Sequence, residues 1–228
     1  MVVVSQWFAA VALLAAPVSG TSHQTVIAGA ESQLDILPES VAKVRKELKA
    51  AEIIPTVVND FIPSIFVDAE WPSERASLGN TLRPEDLQDV PKILLSHHCA
   101  HSMYENSSYA MVLTDPDAPS RDNPEWSEFC HWIATGRGSD HQYSDPGCED
   151  PVQARLEDVM PYKPPGPPKD TGKHRYVFLL LKPKNGTSEE LHLSKLSDRK
   201  HWGYDTGDGE TRGVRDWADE NGLFPIGK

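Results

Sequence analysis

Apolar and polar positions change period several times along this chain, and each change marks an element. Between Pro38 and Ile53, Val41, Val44 and Leu48 fall three and four apart, with Lys43, Arg45, Lys46 and Glu47 between them. That spacing predicts an amphipathic helix. Pro55, which has no N–H to give a helical bond, ends it. From Ser64 to Ala69 the period shortens to two, with Ile65 and Val67 alternating with Phe66 and Asp68, as in a strand. Ser108 to Thr114, Glu128 to Thr135 and His174 to Lys182 are rich in β-branched, aromatic and aliphatic residues bounded by Pro, Gly or Asp. They predict the strands of a sheet core. Between the second and third of these runs a long connection carrying Gly136, Gly138, Pro146, Gly147 and six residues of the Pro/Gly class from Pro161 to Pro168. Its length marks it as functional or disordered. Near the C-terminus Val214, Trp217 and Ala218 share a helical face and Asn221-Gly222 supplies a stop. Strands dominate and helices are peripheral, so the expected fold class is mostly β.

The first twenty residues hold no charged side chain and an apolar run from Trp7 to Ala16, followed by small residues. They read as a secretory signal peptide, and the run is too short to span a bilayer. The expected organisation is a signal peptide at 1–20, a flexible segment at 21–37 and one domain at 38–228. The expected destination is outside the cell or along the secretory and vacuolar route, with no transmembrane segment. The formal net charge of −12 opposes nonspecific binding to nucleic acid or anionic membrane, so a bound anion must be met by local positive groups. Cys99, Cys130 and Cys148 allow at most one internal disulfide, with the pairing open. Asn106 and Asn185 each begin a glycosylation sequon.

The segment Asp115-Pro116-Asp117-Ala118-Pro119 directly follows a predicted strand. Its two prolines stiffen the turn and hold the carboxylates at fixed angles. For an isolated Asp-Pro pair a capped turn with solvated carboxylates is the simpler reading. Strand alternation puts Phe129, His131 and Ile133 on one face and Cys130 and Trp132 on the other. It likewise puts His174, Tyr176 and Phe178 on one face, with Arg175 pointing the opposite way. Considered alone, each histidine is a satisfied core residue.

The combination says more. Asp115 to Arg121, Glu128 to Trp132, and Gly166-Pro167-Pro168 leading into His174-x-Tyr176 form a spaced set that resembles the phosphatidylethanolamine-binding protein family. The similarity runs from the Pro38 helix to at least Gly213. Leu78-Gly79-Asn80 and Asp198 to Tyr204 look most like fungal members, which include inhibitors of a serine carboxypeptidase. The resemblance implies antiparallel sheets, one large and one small, with helices at the ends and an anion pocket at one edge. In that pocket Asp115 and Asp117 orient neighbouring donors, and Ala118 and Pro119 form the rim through a cis peptide. His131 and His174 face the anion, and Phe129, Gly166, Pro167, Pro168 and Tyr176 complete the wall. The ligand implied is phosphate or a phospholipid headgroup, held by charge-assisted hydrogen bonds. Two departures stand out: Asp170 replaces a glycine usual in the Pro167 to Gly172 loop, and Cys130 replaces a histidine of animal members.

Three rival readings follow from the same residues. Carboxylate and imidazole are the parts of acid/base catalysis, but no nucleophile elbow or zinc helix accompanies them, so a hydrolase is disfavoured and no enzyme is expected. Asp115, Asp117, His131 and His174, or separately His97, His98, Cys99 and His101, have metal-ligand chemistry; the resemblance makes the first set anion donors and the second reads as an exposed turn, so neither a metal nor a cofactor is expected. The third reading is a protein inhibitor of a serine carboxypeptidase acting through its surface or its N-terminal segment. Two pocket histidines of ordinary pKa would gain charge together in mild acid and tighten phosphate binding there.

Overall fold

The structure, a computed structural model, describes residues 39–97, 107–138, 152–202 and 213–227. The leader, the 21–37 segment, Asn106, Cys99, Cys148, His98 and His101 lie outside them. Two helical pieces come first, α1 (Glu39–Ala50) and the short α2 (Ile53–Thr56). The strands are β1 (Ile65–Glu70), β2 (Arg75–Ala76), β3 (Lys92–His97), β4 (Ser108–Asp115), β5 (Phe129–Arg137), β6 (Val152–Gln153), β7 (Leu156–Met160), β8 (Val177–Pro183) and β9 (Leu223–Gly227), with α3 (Val214–Glu220) just before the last. The order across the sheet is β6-β3-β1-β9-β8-β4-β5-β7, with β2 beside β1. A larger block, β9-β8-β4-β5-β7, and a smaller one, β6-β3-β1-β2, are each antiparallel, and among the described residues they are joined at the parallel pair Ile65↔Gly227 and the adjacent Ser64 N–H, which donates to the Ile226 carbonyl at 2.8 Å. The mostly β, antiparallel architecture with helices at the periphery is thus the one expected.

β4 is the centre of the molecule. All eight of its residues are buried, because it has strands on both sides and a core on both faces. Ala110 and Val112 pack with Leu48, Ile53, Leu179, Trp202 and Trp217 under the helices, while Met111 and Leu113 pack with Trp71, Ile93, Trp132 and Leu180 on the other face. Burial on both faces explains why its sequence is a continuous apolar run rather than an alternating one.

Several expectations shift. The strand beginning at His174 starts its ladder only at Val177, since the Arg175 N–H is taken by the Asp117 carboxylate at 2.7 Å instead of a neighbouring strand. The long connection contains β6 and β7, and β7 covers the outer edge of β5. Gly213 adopts φ 55°, and any Cβ there would overlap the Glu128 carboxyl, so α3 can sit on that acid only with glycine at this position.

Candidate functional site

β4 is antiparallel to both β5 and β8, so its C-terminal end meets their N-terminal ends at one edge of the sheet. Asp115, Phe129 to His131, and His174 to Tyr176 converge there from distant parts of the chain. A β-bulge sharpens the convergence. The β4–β5 register passes from Leu113↔Trp132 to Thr114↔Cys130, leaving His131 opposite no residue, and bulges of this kind re-aim a side chain. It also corrects the expected alternation: Cys130 and Ile133 face the helix-side core, and Trp132 faces the other.

Hydrogen bonds assign each group a role. Asp115 accepts the Asp117 N–H at 2.8 Å through Oδ1 and faces His174 Nδ1 at 2.8 Å through Oδ2. Asp117 is held by Arg175, whose Nε lies 3.1 and 3.0 Å from its two oxygens and whose Nη2 lies 2.6 Å from Oδ1. Arg175 Nη1 also donates to the Ala51 carbonyl at 2.8 Å, tying the corner to the end of α1. Both acids are buried, at 2% and 1% exposure, and each is matched by a cation. Buried charge is tolerated only when paired and hydrogen-bonded in this way.

The proton positions on the two histidines follow from their partners. Thr171 Oγ1 donates its single proton to the Pro168 carbonyl at 2.7 Å, so toward His174 Nε2, 3.1 Å away, it can only accept. With Asp115 at Nδ1, His174 has acceptors at both nitrogens and is an imidazolium. Its pKa agrees: burial works against the charge, but the hydrogen bond and charge of Asp115, with Asp117 and the Pro119 carbonyl, raise it above the ordinary value. His131 differs. Its Nδ1 lies 2.7 Å from the Lys163 carbonyl, which can only accept, so Nδ1 carries the proton. Burial lowers its pKa, which leaves a neutral ring whose Nε2 is a lone pair without a partner among the described residues. The two histidines therefore do not titrate together, contrary to the sequence expectation.

Aromatic rings fill the space between them. Tyr176 stacks on His174 with centroids 6.3 Å apart and meets His131 edge-on at 5.1 Å, while Phe129 lies 5.0 Å from His131. Burial first, then the Asp115 carboxylate, push the Tyr176 hydroxyl far above its usual pKa, so it remains a donor. The Ala118–Pro119 peptide is cis, as the resemblance implied, and Ala118 is buried with its carbonyl accepting the Trp126 N–H at 2.9 Å. Gly166, Pro167 and Pro168 lie in the extended stretch facing Tyr176 and Thr171. Asp170 takes up the left-handed conformation, φ 65°, that the usual glycine would adopt, one of the few non-glycine residues that tolerate it. Cys130 is fully buried in the helix-side core, with burial pushing its thiol up to about 12. Among the described residues no three His, Cys, Asp or Glu side chains converge as metal ligands, since Asp115 turns to His174 and Asp117 to Arg175.

Sequence reasoning missed Arg175, Thr171, Lys163 and Arg199. Arg199 donates to the Cys130 and His131 carbonyls at 3.1 Å each and to Pro161 at 2.7 Å, pinning the bulge to the extended wall. The available signal was Arg175 itself, because a cation on the inward face of an apolar strand demands a buried acid.

The family model described as phosphatidylethanolamine-binding protein matches residues 72–225, more than half of the chain. This chain belongs to the phosphatidylethanolamine-binding protein family. Among curated members, the carboxypeptidase Y inhibitor of Saccharomyces cerevisiae is 32% identical over 193 residues, spanning 75% of this chain and 85% of that protein. The uncharacterized protein YLR179C of the same yeast is 33% identical over 194 residues, spanning 82% and 89%. Among solved structures, carboxypeptidase Y inhibitor complexed with its cognate proteinase superposes with a TM-score of 0.65 at 30% identity, covering 82% of this chain and 92% of the other. The phosphatidylethanolamine-binding protein from Plasmodium vivax, at 22% identity and a TM-score of 0.56 over 80% of this chain and 92% of that one, supports the fold alone.

Proposed function

We propose that this protein is a secreted binder, not an enzyme, that holds phosphate or a phospholipid headgroup at the His131, His174 and Tyr176 corner. The observation that carries this reading is the pairing of charges. Asp115 and Asp117 are already neutralised by His174 and Arg175, so the corner is not repulsive to an anion, and both acids are occupied as orienters. The ligand meets the Tyr176 hydroxyl and His131 Nε2, with His174 supplying fixed positive charge behind them.

Because neutral His131 offers a lone pair at Nε2, binding an oxyanion there needs one proton, brought by the ligand or taken up by the ring. The affinity of a phosphodiester such as glycerophosphoethanolamine, which brings no proton, should rise up to about tenfold per pH unit as pH falls toward the lowered pKa of His131. Calorimetry at several pH values measures this. Binding that ignores pH in the wild type and in His131→Ala alike would sink the reading. The uncharged leader and the exposed Asn185 support a secretory route, tested by the mature N-terminus and by a mass shift on deglycosylation.

A second reading has its own support: the relative and the structural neighbour just described are a carboxypeptidase inhibitor. This chain then inhibits a serine carboxypeptidase by surface contact. Titration against yeast carboxypeptidase Y should give stoichiometric inhibition, reduced when residues 21 to 37 are deleted and unaffected by His131→Ala. An enzyme fully active with excess protein would exclude that target.

A further inference from the structure

His131 is only 4% exposed, and one residue grips it from both sides. The Lys163 N–H donates to the His131 carbonyl at 2.7 Å, and His131 Nδ1–H donates to the Lys163 carbonyl, also at 2.7 Å. Moving the ring proton to Nε2, or flipping the ring, would set a lone pair or a C–H against that carbonyl and forfeit the bond. Charged groups reach the ring from every element around it. Burial, the largest influence, and the Arg199 and Lys163 cations oppose a second proton, whereas the Lys163 carbonyl and Asp115 of β4 favour one, and the net effect is a lowered pKa. Tyr176, edge-on to the ring, is an uncharged phenol, and the His174 imidazolium stacks beyond it. At neutral pH Nε2 is therefore a fixed acceptor.

This acceptor stands near a fixed cation. Ring centroids run from His131 to Tyr176 at 5.1 Å and from Tyr176 to His174 at 6.3 Å, close enough for the imidazolium's charge to act on a group held at Nε2. An anion without a proton sets a charged oxygen against the Nε2 lone pair. A hydrogen phosphate presents its O–H to Nε2 and its charged oxygens toward Tyr176 and the imidazolium. Sites built around a buried polar group reject analogues that leave it unpaired more strongly than they reject small changes of shape. We propose, building on the reading of this corner as an anion site, that it selects phosphoryl groups carrying their own proton, the monoanions of phosphate monoesters and of free phosphate, over phosphodiesters and sulfate esters.

Calorimetry of the full chain with methylphosphonate, methyl phosphate, dimethyl phosphate and methyl sulfate tests it. The monoanions of all four carry the same charge, but only the first two bring an O–H. At neutral pH methylphosphonate, which holds its second proton more tightly than a phosphate ester, should bind about tenfold or more above dimethyl phosphate and methyl sulfate, with methyl phosphate severalfold above them. The break in the pH profile should move with the ligand: methyl phosphate weakens about tenfold per pH unit above its second pKa of about 6, and methylphosphonate only at higher pH. Any loss of the His174 charge weakens all four alike and cancels in the ratios. His131→Ala removes the lone pair and should bring the four affinities within about threefold of one another; should that variant not fold, the wild-type ratios still decide. A short-chain phosphatidate and inorganic phosphate carry the same group, so the tighter of the two names a lipid or a free source, and either supports the selection. Equal affinities for methylphosphonate and methyl sulfate at neutral pH overturn the selection and leave an anion site standing. Binding of none of these anions overturns both.

Discussion

Two regions of this molecule bury carboxylates a short distance apart in sequence and solve the problem in opposite ways. At the anion corner Asp115 and Asp117 each meet a cation, His174 or Arg175. At Glu128 there is no ion pair among the described residues. The carboxyl accepts the Thr114 hydroxyl at 2.8 Å and the Val214 N–H at 3.3 Å, and burial pushes its pKa up to about 8. One region keeps its charges by pairing them, and the other gives up its charge. The first is therefore suited to face an anion, whereas the second is a neutral hydrogen-bond hub that joins β4, Trp202 and the start of α3.

The sharpest way to break this contrast is to remove one cation. Arg175→Met leaves Asp117 buried and unpaired and unties the corner from Ala51, so a loss of about 3–5 kcal/mol is expected, read by urea denaturation at neutral pH. The same experiment on an exposed pair such as Lys184–Asp219 should cost under about 1 kcal/mol. Similar losses at both sites would show that burial does not govern the corner.

Glu128 comes next in size. Its folded pKa lies above the unfolded value, so between about 4.5 and about 8 the folded state keeps a proton that the unfolded chain has lost. Stability is then full in acid and falls as pH rises through that window, by up to ~4 kcal/mol. His174, also raised, adds loss in the same direction above its unfolded pKa. His131, lowered, acts oppositely, removing stability below about 6.5. Glu128→Gln keeps an acceptor for Thr114 and Val214 without a titrating proton, so its stability should decline far less between mild acid and pH 8. A slope identical to the wild type's would mean that the carboxyl is ionised in the folded protein.

How much of this was legible in the sequence depended on whether the signal was local. The 3.6 period of Val41, Val44 and Leu48 and the apolar run of β4 reported their own environments, and both elements form there, although α1 ends at Ala50, with Glu52 left-handed after it, and Pro55 lies inside α2 instead of ending α1. β7 was hidden because Glu157 and Asp158 lie exposed on an outer strand, and β9 because Pro225 interrupts its pattern, seated where the β8–β9 register shifts, and irregularities of that kind tolerate proline. The corner residues were found as a set through the family resemblance; periodicity alone left each histidine unremarkable. The bulge at His131 could not be read, because one extra residue changes the face of everything after it and nothing in Cys130-His131-Trp132 announces it. The proton states were equally hidden, since they depend on Lys163 and Thr171, residues from a proline-rich stretch that carried no predicted structure.

The smallest effect tests those proton states directly. Thr171 matters here only because its one proton goes to Pro168, which compels it to accept from His174 Nε2. Thr171→Val retains the shape of the loop and deletes that acceptor, at a cost of about 1 kcal/mol or somewhat more for the unpaired N–H. The imidazolium loses one of its stabilising contacts while Asp115 remains, so the His174 pKa should fall without reaching its unfolded value, and phosphate affinity near neutral pH should drop severalfold. Nitrogen chemical shifts of His174 followed through a pH titration report both ring protons. If Nε2 in the wild type titrates as an acceptor near neutral pH, then the hydroxyl of Thr171 must point the other way, and the fixed charge behind Tyr176 is absent.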